Sequence, residues 1–134
     1  MIVSYQEIIA VGSGGFVGAV CRYMLSQAMS QRGYLQAFPL ATLSVNIIGG
    51  FLMGLVMALF VHSFFDSHPL KLFLTTGLLG GFTTYSAFAY ESFVLLGSSH
   101  FMLASLSIAL NAFGSIIAVA GGFALSTALL ARFS

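Results

Sequence analysis

Apolar residues fill most of the chain in four long runs, separated by three short polar breaks. The breaks fall at "SQRGYLQAFP", "DSHPLK" and "GSSH", which contain glycine or proline beside charged or imidazole side chains. A helix that crosses about 30 Å of hydrocarbon needs roughly 20 apolar residues, and each run is long enough. The pattern predicts a single all-α domain over residues 1–134 with four transmembrane helices, at about residues 8–29, 39–64, 70–96 and 101–130.

Composition supports a membrane protein and leaves little room for other chemistry. Hydrophobic residues make up 59% of the chain and charged residues 5%, with a mean hydropathy of +1.05. Such a surface is too apolar for a soluble globular domain. The single cysteine, Cys21, excludes an internal disulfide and falls short of a cysteine-based metal site. We expect no enzymatic activity, organic cofactor or nucleic-acid partner, and we expect membrane lipid to surround the helices.

The few charges are almost balanced between the two sides of the predicted bundle. Lys71 and Arg132 fall on the side of the N-terminus, whereas Arg32 falls on the opposite side, together with Arg22 if its side chain extends the same way. The positive-inside rule needs an excess on one side to set orientation. Two interpretations stay open: the chain inserts both ways and pairs with an inverted copy of itself, or such small charge counts carry no information.

Pairs of glycines four residues apart recur in three of the four runs. This spacing lets helix backbones approach closely, although glycine is common in membrane helices in any case. It favours a compact bundle without indicating which helices meet. The pairs are Gly14 and Gly18, Gly50 and Gly54, and Gly77 and Gly81.

Polar side chains inside the apolar runs are the first candidates for function. Asn46 lies within the second run, where hydrocarbon cannot satisfy its amide. In the fourth run Ser107, Asn111 and Ser115 recur at a spacing of four, which predicts one polar stripe on a helix. Such residues either hydrogen-bond a neighbouring helix or line a water-filled path, and the spacing alone decides neither.

The stretch "GGFTTYSAF", residues 80–88, interrupts the third run near its middle. Gly80 and Gly81 lower helix propensity by about 1 kcal/mol each, and the following Thr83, Thr84 and Ser86 can bond to freed backbone groups. Irregular backbone within a membrane is tolerated only inside protein or beside a wet cavity, where its carbonyls and helix ends can bind ions. The pattern predicts a helix break and an ion site.

The groups around this break favour an anion. Amide and hydroxyl donors, including those of Asn46 and Asn111, can solvate an anion, and aromatic rings present a positive edge. Phe82, Tyr85 and Phe88 follow each other at spacings of three. The alternative for these rings is ordinary packing.

Three stretches resemble the signature sequences of the CrcB/Fluc family of small microbial fluoride channels: "GGFVGAVCRY", "ATLSVNIIGGFLMG" and "GLLGGFTTYSAFAYES". Their order, their spacing and the chain length fit as well. The resemblance implies an inverted homodimer in the cytoplasmic (inner) membrane, with two pathways for passive fluoride export. It also implies a structural sodium ion at the dimer centre.

The resemblance also implies roles for individual residues. Asn46 matches the pore asparagine of the second helix, and Tyr85 and Phe88 match a pair of pore phenylalanines. Gly80 and Thr83 match the positions whose backbone carbonyls bind sodium. The polar track of the fourth helix is matched by Ser107, Asn111 and Ser115.

Two positions depart from the family's pattern. Tyr85 stands where phenylalanine is usual, so a hydroxyl enters the aromatic pair, and Asn111 stands where serine is more usual. These departures leave the conductance and the role of the aromatic contacts open.

Two charged residues inside the runs carry further hypotheses. Arg22 is a candidate for a pore mouth that attracts anions, or else a helix anchor, and it is placed to pair with Glu91 across helices.

The alternative function is a small multidrug-type exporter, which exchanges protons for a cationic drug and needs a carboxylate at mid-membrane. Glu91 lies off centre for that role. A purely structural subunit is the remaining alternative, against which the break argues.

Overall fold

The computed structural model describes residues 3–30, 38–62 and 64–132, and this part of the chain is entirely helical apart from turns and short connections. Helix α1 covers Tyr5–Ser30 and helix α2 covers Leu40–Val61. The chain ends in a 30-residue helix, α5, over Phe101–Leu130. Among the described residues, these three helices are long and apolar enough to cross a membrane. Arg32 and Gly33 of the first predicted loop lie outside the described residues.

The third apolar run forms two helices instead of one. Helix α3 spans residues 68–82 and helix α4 covers Tyr85–Gly97. Between them Thr83 and Thr84 are extended, with ψ angles of 160° and 118°. Gly80 itself keeps helical angles, φ −64° and ψ −37°, so the break lies beyond the glycine pair that predicted it. The break lies at the threonines because Thr84 caps α4, and its Oγ1 accepts the Ala87 N–H at 3.2 Å.

Two segments of π-helix lie close to this break. Phe73–Leu79 forms the middle of α3, and Leu110–Gly114 forms the middle of α5. A π-helical turn closes its hydrogen bonds one residue later than an α-helical turn, so it shifts the faces on which later side chains lie. Such segments are frequent at functional sites.

Glycines bring α1 directly onto α3. A Cβ atom added at Gly18 would overlap the Leu78 carbonyl oxygen and lie 2.8 Å from the Phe82 nitrogen. From the other side, a Cβ atom at Gly81 would lie 2.6 Å from the Gly15 oxygen. The first and third glycine pairs of the sequence therefore face each other, and their helices touch backbone to backbone.

A second glycine contact joins α2 to α5. A Cβ atom at Gly54 would overlap the Val119 carbonyl oxygen, and one at Gly122 would overlap the Phe51 carbonyl oxygen. Each helix thus offers a glycine to the backbone of the other. This contact fixes α5 against α2 and carries Asn111 towards Asn46.

Candidate functional site

Asn46 holds the extended break between α3 and α4 in place. Its Oδ1 accepts the Thr84 backbone N–H at 2.9 Å, while its Nδ2 donates to the Thr84 carbonyl at 3.1 Å. The amide thereby accepts the Thr84 N–H, which has no helical acceptor, and adds a donor to the Thr84 carbonyl, the N-cap carbonyl of α4. We call these two bonds the Asn46 clamp. One side chain of α2 satisfies irregular backbone within an apolar segment, where an unpaired group would cost about 1–3 kcal/mol.

The same amide also reaches α5. Asn46 Nδ2 donates to Asn111 Oδ1 at 2.8 Å, and Asn111 Nδ2 donates to the Ser107 carbonyl at 3.0 Å. Asn111 sits in the π-helical segment of α5, and it is buried. Hydrogen bonds therefore connect α2, the helix break and α5 at one point. The two asparagines that appeared separately in the sequence form one cluster.

A groove of about 390 Å³ opens beside this cluster. Both asparagines line it, and so do Thr83 and Thr84 from the break. Among the described residues, its lining contains no Asp, Glu, Lys or Arg. Five of the six residues predicted for an ion pathway lie along this groove: Asn46, Tyr85, Phe88, Asn111 and Ser115.

Tyr85 and Phe88 form an aromatic pair at the start of α4. Their ring centroids are 5.6 Å apart with an interplanar angle of 66°, so the rings meet edge to face. Tyr85 is 79% exposed in the single chain, and its hydroxyl makes no hydrogen bond within the described residues. The extra hydroxyl at this position is therefore not needed to hold the ring in place.

Ser107 lies apart from the other members of the predicted polar stripe. It is fully buried, it does not line the groove, and its Oγ has no hydrogen-bond partner among the described residues. Its carbonyl instead supports Asn111. A π-helical segment, Leu110–Gly114, begins between Ser107 and Asn111, and the groove residues of α5 lie within or after it.

The end of α3 carries the two residues predicted to bind a cation through their carbonyls. Helical geometry would direct the Thr84 N–H to the Gly80 carbonyl, but that N–H donates to Asn46 instead. The N–H and Oγ1 of Thr83 both donate to the Leu79 carbonyl at 3.0 Å. The carbonyls that follow Leu79 thus lose their helical partners at the negative end of the helix dipole.

Arg22 and Glu91 do not pair within the chain. Glu91 Oε1 accepts the Thr42 hydroxyl at 2.7 Å, and its Oε2 is buried without a partner among the described residues. Arg22, on α1, is partly exposed and makes no hydrogen bond or ion pair in the described part of the chain. Neither residue lines the groove. The sequence interpretation missed Thr42, although it precedes Asn46 by four residues and so shares its face of α2.

Comparison with known proteins adds family evidence to this geometry. The family described as "CrcB-like protein, Camphor Resistance (CrcB)" matches residues 9–123. A fluoride-specific ion channel FluC of Sulfurimonas denitrificans is 50% identical over 120 residues, which cover 90% of this chain and 92% of that protein.

Two further fluoride-specific ion channels are similar over most of their length. The fluoride-specific ion channel FluC 1 of Methanosarcina acetivorans is 48% identical over 112 residues, 84% of each chain. The fluoride-specific ion channel FluC of Elusimicrobium minutum is 39% identical over 119 residues, 88% of this chain and 91% of that protein. The similarity therefore covers nearly the whole sequence and includes the helix break.

Proposed function

The chain belongs to the CrcB family, and on this premise we propose that it is a fluoride-specific ion channel that exports fluoride passively from the cytoplasm. It is an integral membrane protein, and its relatives named as fluoride channels match most of its length. Passive flow requires neither a catalytic step nor a coupled ion. Fluoride enters cells as neutral HF from acidic surroundings and dissociates inside, so a leak for the anion lowers its concentration.

The groove beside Asn46 is the observation that carries this proposal. Its polar lining consists of amides, hydroxyls and backbone at the start of α4, together with the edge-to-face pair of Tyr85 and Phe88. Amide and hydroxyl donors replace part of an anion's hydration shell, and a helix N-terminus attracts negative charge. A proton-coupled exporter of cations would need a carboxylate here, whereas Glu91 is bonded to Thr42 elsewhere.

The pathway residues have different tasks in this proposal. One of the two N–H groups of Asn111 Nδ2 donates to the Ser107 carbonyl, and the other remains as a donor towards the groove. Ser115, further along α5, adds a hydroxyl that makes no hydrogen bond within the described residues. Ser107 acts through its carbonyl by orienting Asn111. Arg22 attracts anions towards a pore mouth from α1.

The proposed assembly is an inverted homodimer in which each chain crosses the membrane four times. Residues 68–97 together are long enough to cross about 30 Å, so α3 and α4 serve as the third span. The groove is open on one side, and Tyr85 is largely exposed beside it, so a second chain has a place to close the pathway. The near balance of loop charges suits insertion in both orientations.

A structural sodium ion fits the end of α3 in this assembly. The donor set is the backbone carbonyls of Gly80 and Thr83, hard oxygen ligands at the negative end of a helix. The Thr84 N–H that would occupy the Gly80 carbonyl in a continuous helix is engaged by Asn46. A two-fold axis in the membrane plane that passes by the break would bring the carbonyls of two chains together.

Fluoride efflux from liposomes tests the proposal directly. Purified protein is placed in vesicles loaded with potassium fluoride or potassium chloride, and valinomycin starts the release that an ion-selective electrode records. We expect release of fluoride without chloride. Asn46→Asp removes the two Nδ2 donors, to the Thr84 carbonyl and to Asn111 Oδ1, and adds an acceptor. We therefore expect efflux to fall by about 10- to 100-fold, corresponding to about 1–3 kcal/mol.

Gln27→Glu is the matched control, because it makes the same amide-to-acid change at an exposed site of α1 outside the groove. We expect this variant to conduct like the native protein. Absence of fluoride release from folded native protein would refute the channel. Equal efflux from the Asn46 and Gln27 variants would move the pathway away from α2.

A further inference from the structure

A second groove, separate from the asparagine cluster, lies between α1 and the start of α3. Its volume is about 680 Å³, within the range of roughly 300–1,000 Å³ that is usual for ligand sites. Its walls are mostly apolar side chains, Val3, Ile8, Val11 and Leu72, and its polar residues are Glu7 and His68. No residue of the proposed fluoride pathway lines it.

Gly12 keeps this groove open. A Cβ atom added at Gly12 would have no atom within 4 Å, whereas the next glycines on the packed face, Gly14 and Gly18, lie against the backbone of α3. Packing between the described helices of one chain therefore does not explain the glycine at position 12. The groove is cut into helices that span a membrane, so hydrocarbon chains of the bilayer are the material that fills it.

The polar residues of the groove are acidic on balance. Glu7 Oε2 accepts the Ser4 N–H at 3.0 Å, and Glu7 Oε1 lies 3.3 Å from His68 Nε2. The single lysine of the sequence, Lys71, has its amine over the Phe60 ring, 6.0 Å from the centroid. Among the described residues no Lys or Arg lines the groove. A ligand that presents a cation to Glu7 complements this charge, and a ligand with a net negative headgroup does not.

We propose that this groove binds one phospholipid with a primary-amine headgroup, such as a phosphatidylethanolamine. One acyl chain lies along Val11, Gly12 and Leu72, and the ammonium group donates hydrogen bonds to the Glu7 carboxylate. A primary ammonium has three N–H donors, whereas the quaternary ammonium of choline has none, so the site distinguishes the two headgroups. His68 lies beside the carboxylate, where its ring can contact the phosphate.

The site is remote from the fluoride pathway. His68, at the start of α3, precedes Thr83 of the break by fifteen residues, which corresponds to about 20 Å along a helix. The groove therefore lies well away from the break along the helix axis. Lipid binding here does not rest on fluoride conduction, so the two proposals stand or fall separately.

Native mass spectrometry of the purified protein measures this binding. The probes are phosphatidylethanolamine, phosphatidylcholine and phosphatidylglycerol with identical acyl chains, each titrated to give the dissociation constant of the first bound lipid. We expect phosphatidylethanolamine to bind at least fivefold more tightly than either of the others. Gly12→Leu should abolish the tight site by filling it, and Glu7→Gln should remove the preference among headgroups while keeping the Ser4 contact.

Gly121→Leu is the matched control for the filled groove. A Cβ atom at Gly121 also has no atom within 4 Å, but Gly121 lies on α5 away from the groove, so native affinity is expected. Equal affinities for the three lipids in the native protein would overturn the headgroup assignment. Equal binding by the Gly12 and Gly121 variants would overturn the location. If Gly12→Leu fails to fold, the result for Glu7→Gln decides alone.

Discussion

The two halves of the interrupted span are held in place by different forces. Helix α3 lies on α1 through glycines, with backbone against backbone at Gly18 and Gly81. Helix α4 is held by side-chain hydrogen bonds to α2, through Asn46 to Thr84 and Thr42 to Glu91. The first contact depends on shape and the second on chemistry.

This difference has a consequence for how each half tolerates substitution. A close backbone contact excludes any added atom, whatever its polarity, because neither backbone can move aside without unpacking the helix. A hydrogen-bonded contact accepts a change in size but not the loss of a donor or an acceptor. The proposed fluoride pathway lies beside the second half, where a side chain can change in size as long as its donors and acceptors are kept.

Gly18→Ala should have the largest effect, because one added methyl group disrupts the close backbone contact between α1 and α3. The new Cβ atom would overlap the Leu78 carbonyl oxygen, and we expect unfolding to become easier by about 3 kcal/mol or more. Thermal melting followed by circular dichroism in detergent measures the loss. Gly12→Ala is the control, since its Cβ atom meets open space. Similar melting of both variants would contradict the glycine contact.

Thr42→Val tests the hydrogen-bonded half and should have the next largest effect. It keeps the shape of the side chain but removes the donor at 2.7 Å from Glu91 Oε1, leaving both carboxyl oxygens without a protein donor. We expect a loss of about 2 kcal/mol in stability. Thr127→Val is the control, because Thr127 bonds His62 at an exposed site. A Thr42 variant as stable as this control would show that the buried bond contributes nothing.

The sequence predicted the helices and many residues of the groove, but not how they meet. Apolar runs locate membrane helices because the bilayer acts on each segment separately. Asn46 and Asn111 were identifiable because an amide in hydrocarbon needs partners. The clamp joins residues 38 apart and the Thr42 bond joins residues 49 apart, so both depend on tertiary packing that local patterns do not contain.

Local chemistry also explains the details that differ from the sequence prediction. The break lies at Thr83 and Thr84 because the Thr84 cap and the Asn46 amide stabilise extended backbone there. These contacts decide the position of the break more than the low helix propensity of Gly80 does. Ser107 lies outside the groove, and an unpredicted π-helical segment begins between it and Asn111. Neither effect has a signature in residue spacing alone.

Asn111→Ser should have a smaller effect, confined to the pathway. Serine is too short to keep the 2.8 Å contact with Asn46 Nδ2, but water in the groove can replace one hydrogen bond. We expect fluoride efflux to fall by about fivefold, corresponding to about 1 kcal/mol, while stability stays within about 0.5 kcal/mol of native. Liposome efflux and thermal melting measure the two quantities. A large drop in stability with unchanged efflux would make Asn111 a structural residue only.

Tyr85→Phe should have the smallest effect, although it changes a residue at the centre of the proposed pathway. The hydroxyl makes no hydrogen bond within the described residues, while the ring keeps its edge contact with Phe88 at 5.6 Å. We expect efflux within about twofold of native, because the ring edge and not the hydroxyl faces the anion. Tyr85→Leu removes the ring but keeps an apolar side chain, and it should slow efflux by at least about tenfold, from about 1.4 kcal/mol of lost anion stabilisation. Efflux as slow in Tyr85→Phe as in Tyr85→Leu would assign the contact to the hydroxyl, which both variants lack. Helix α4 would then act on fluoride through the Tyr85 hydroxyl, a donor that most of the family is expected to lack.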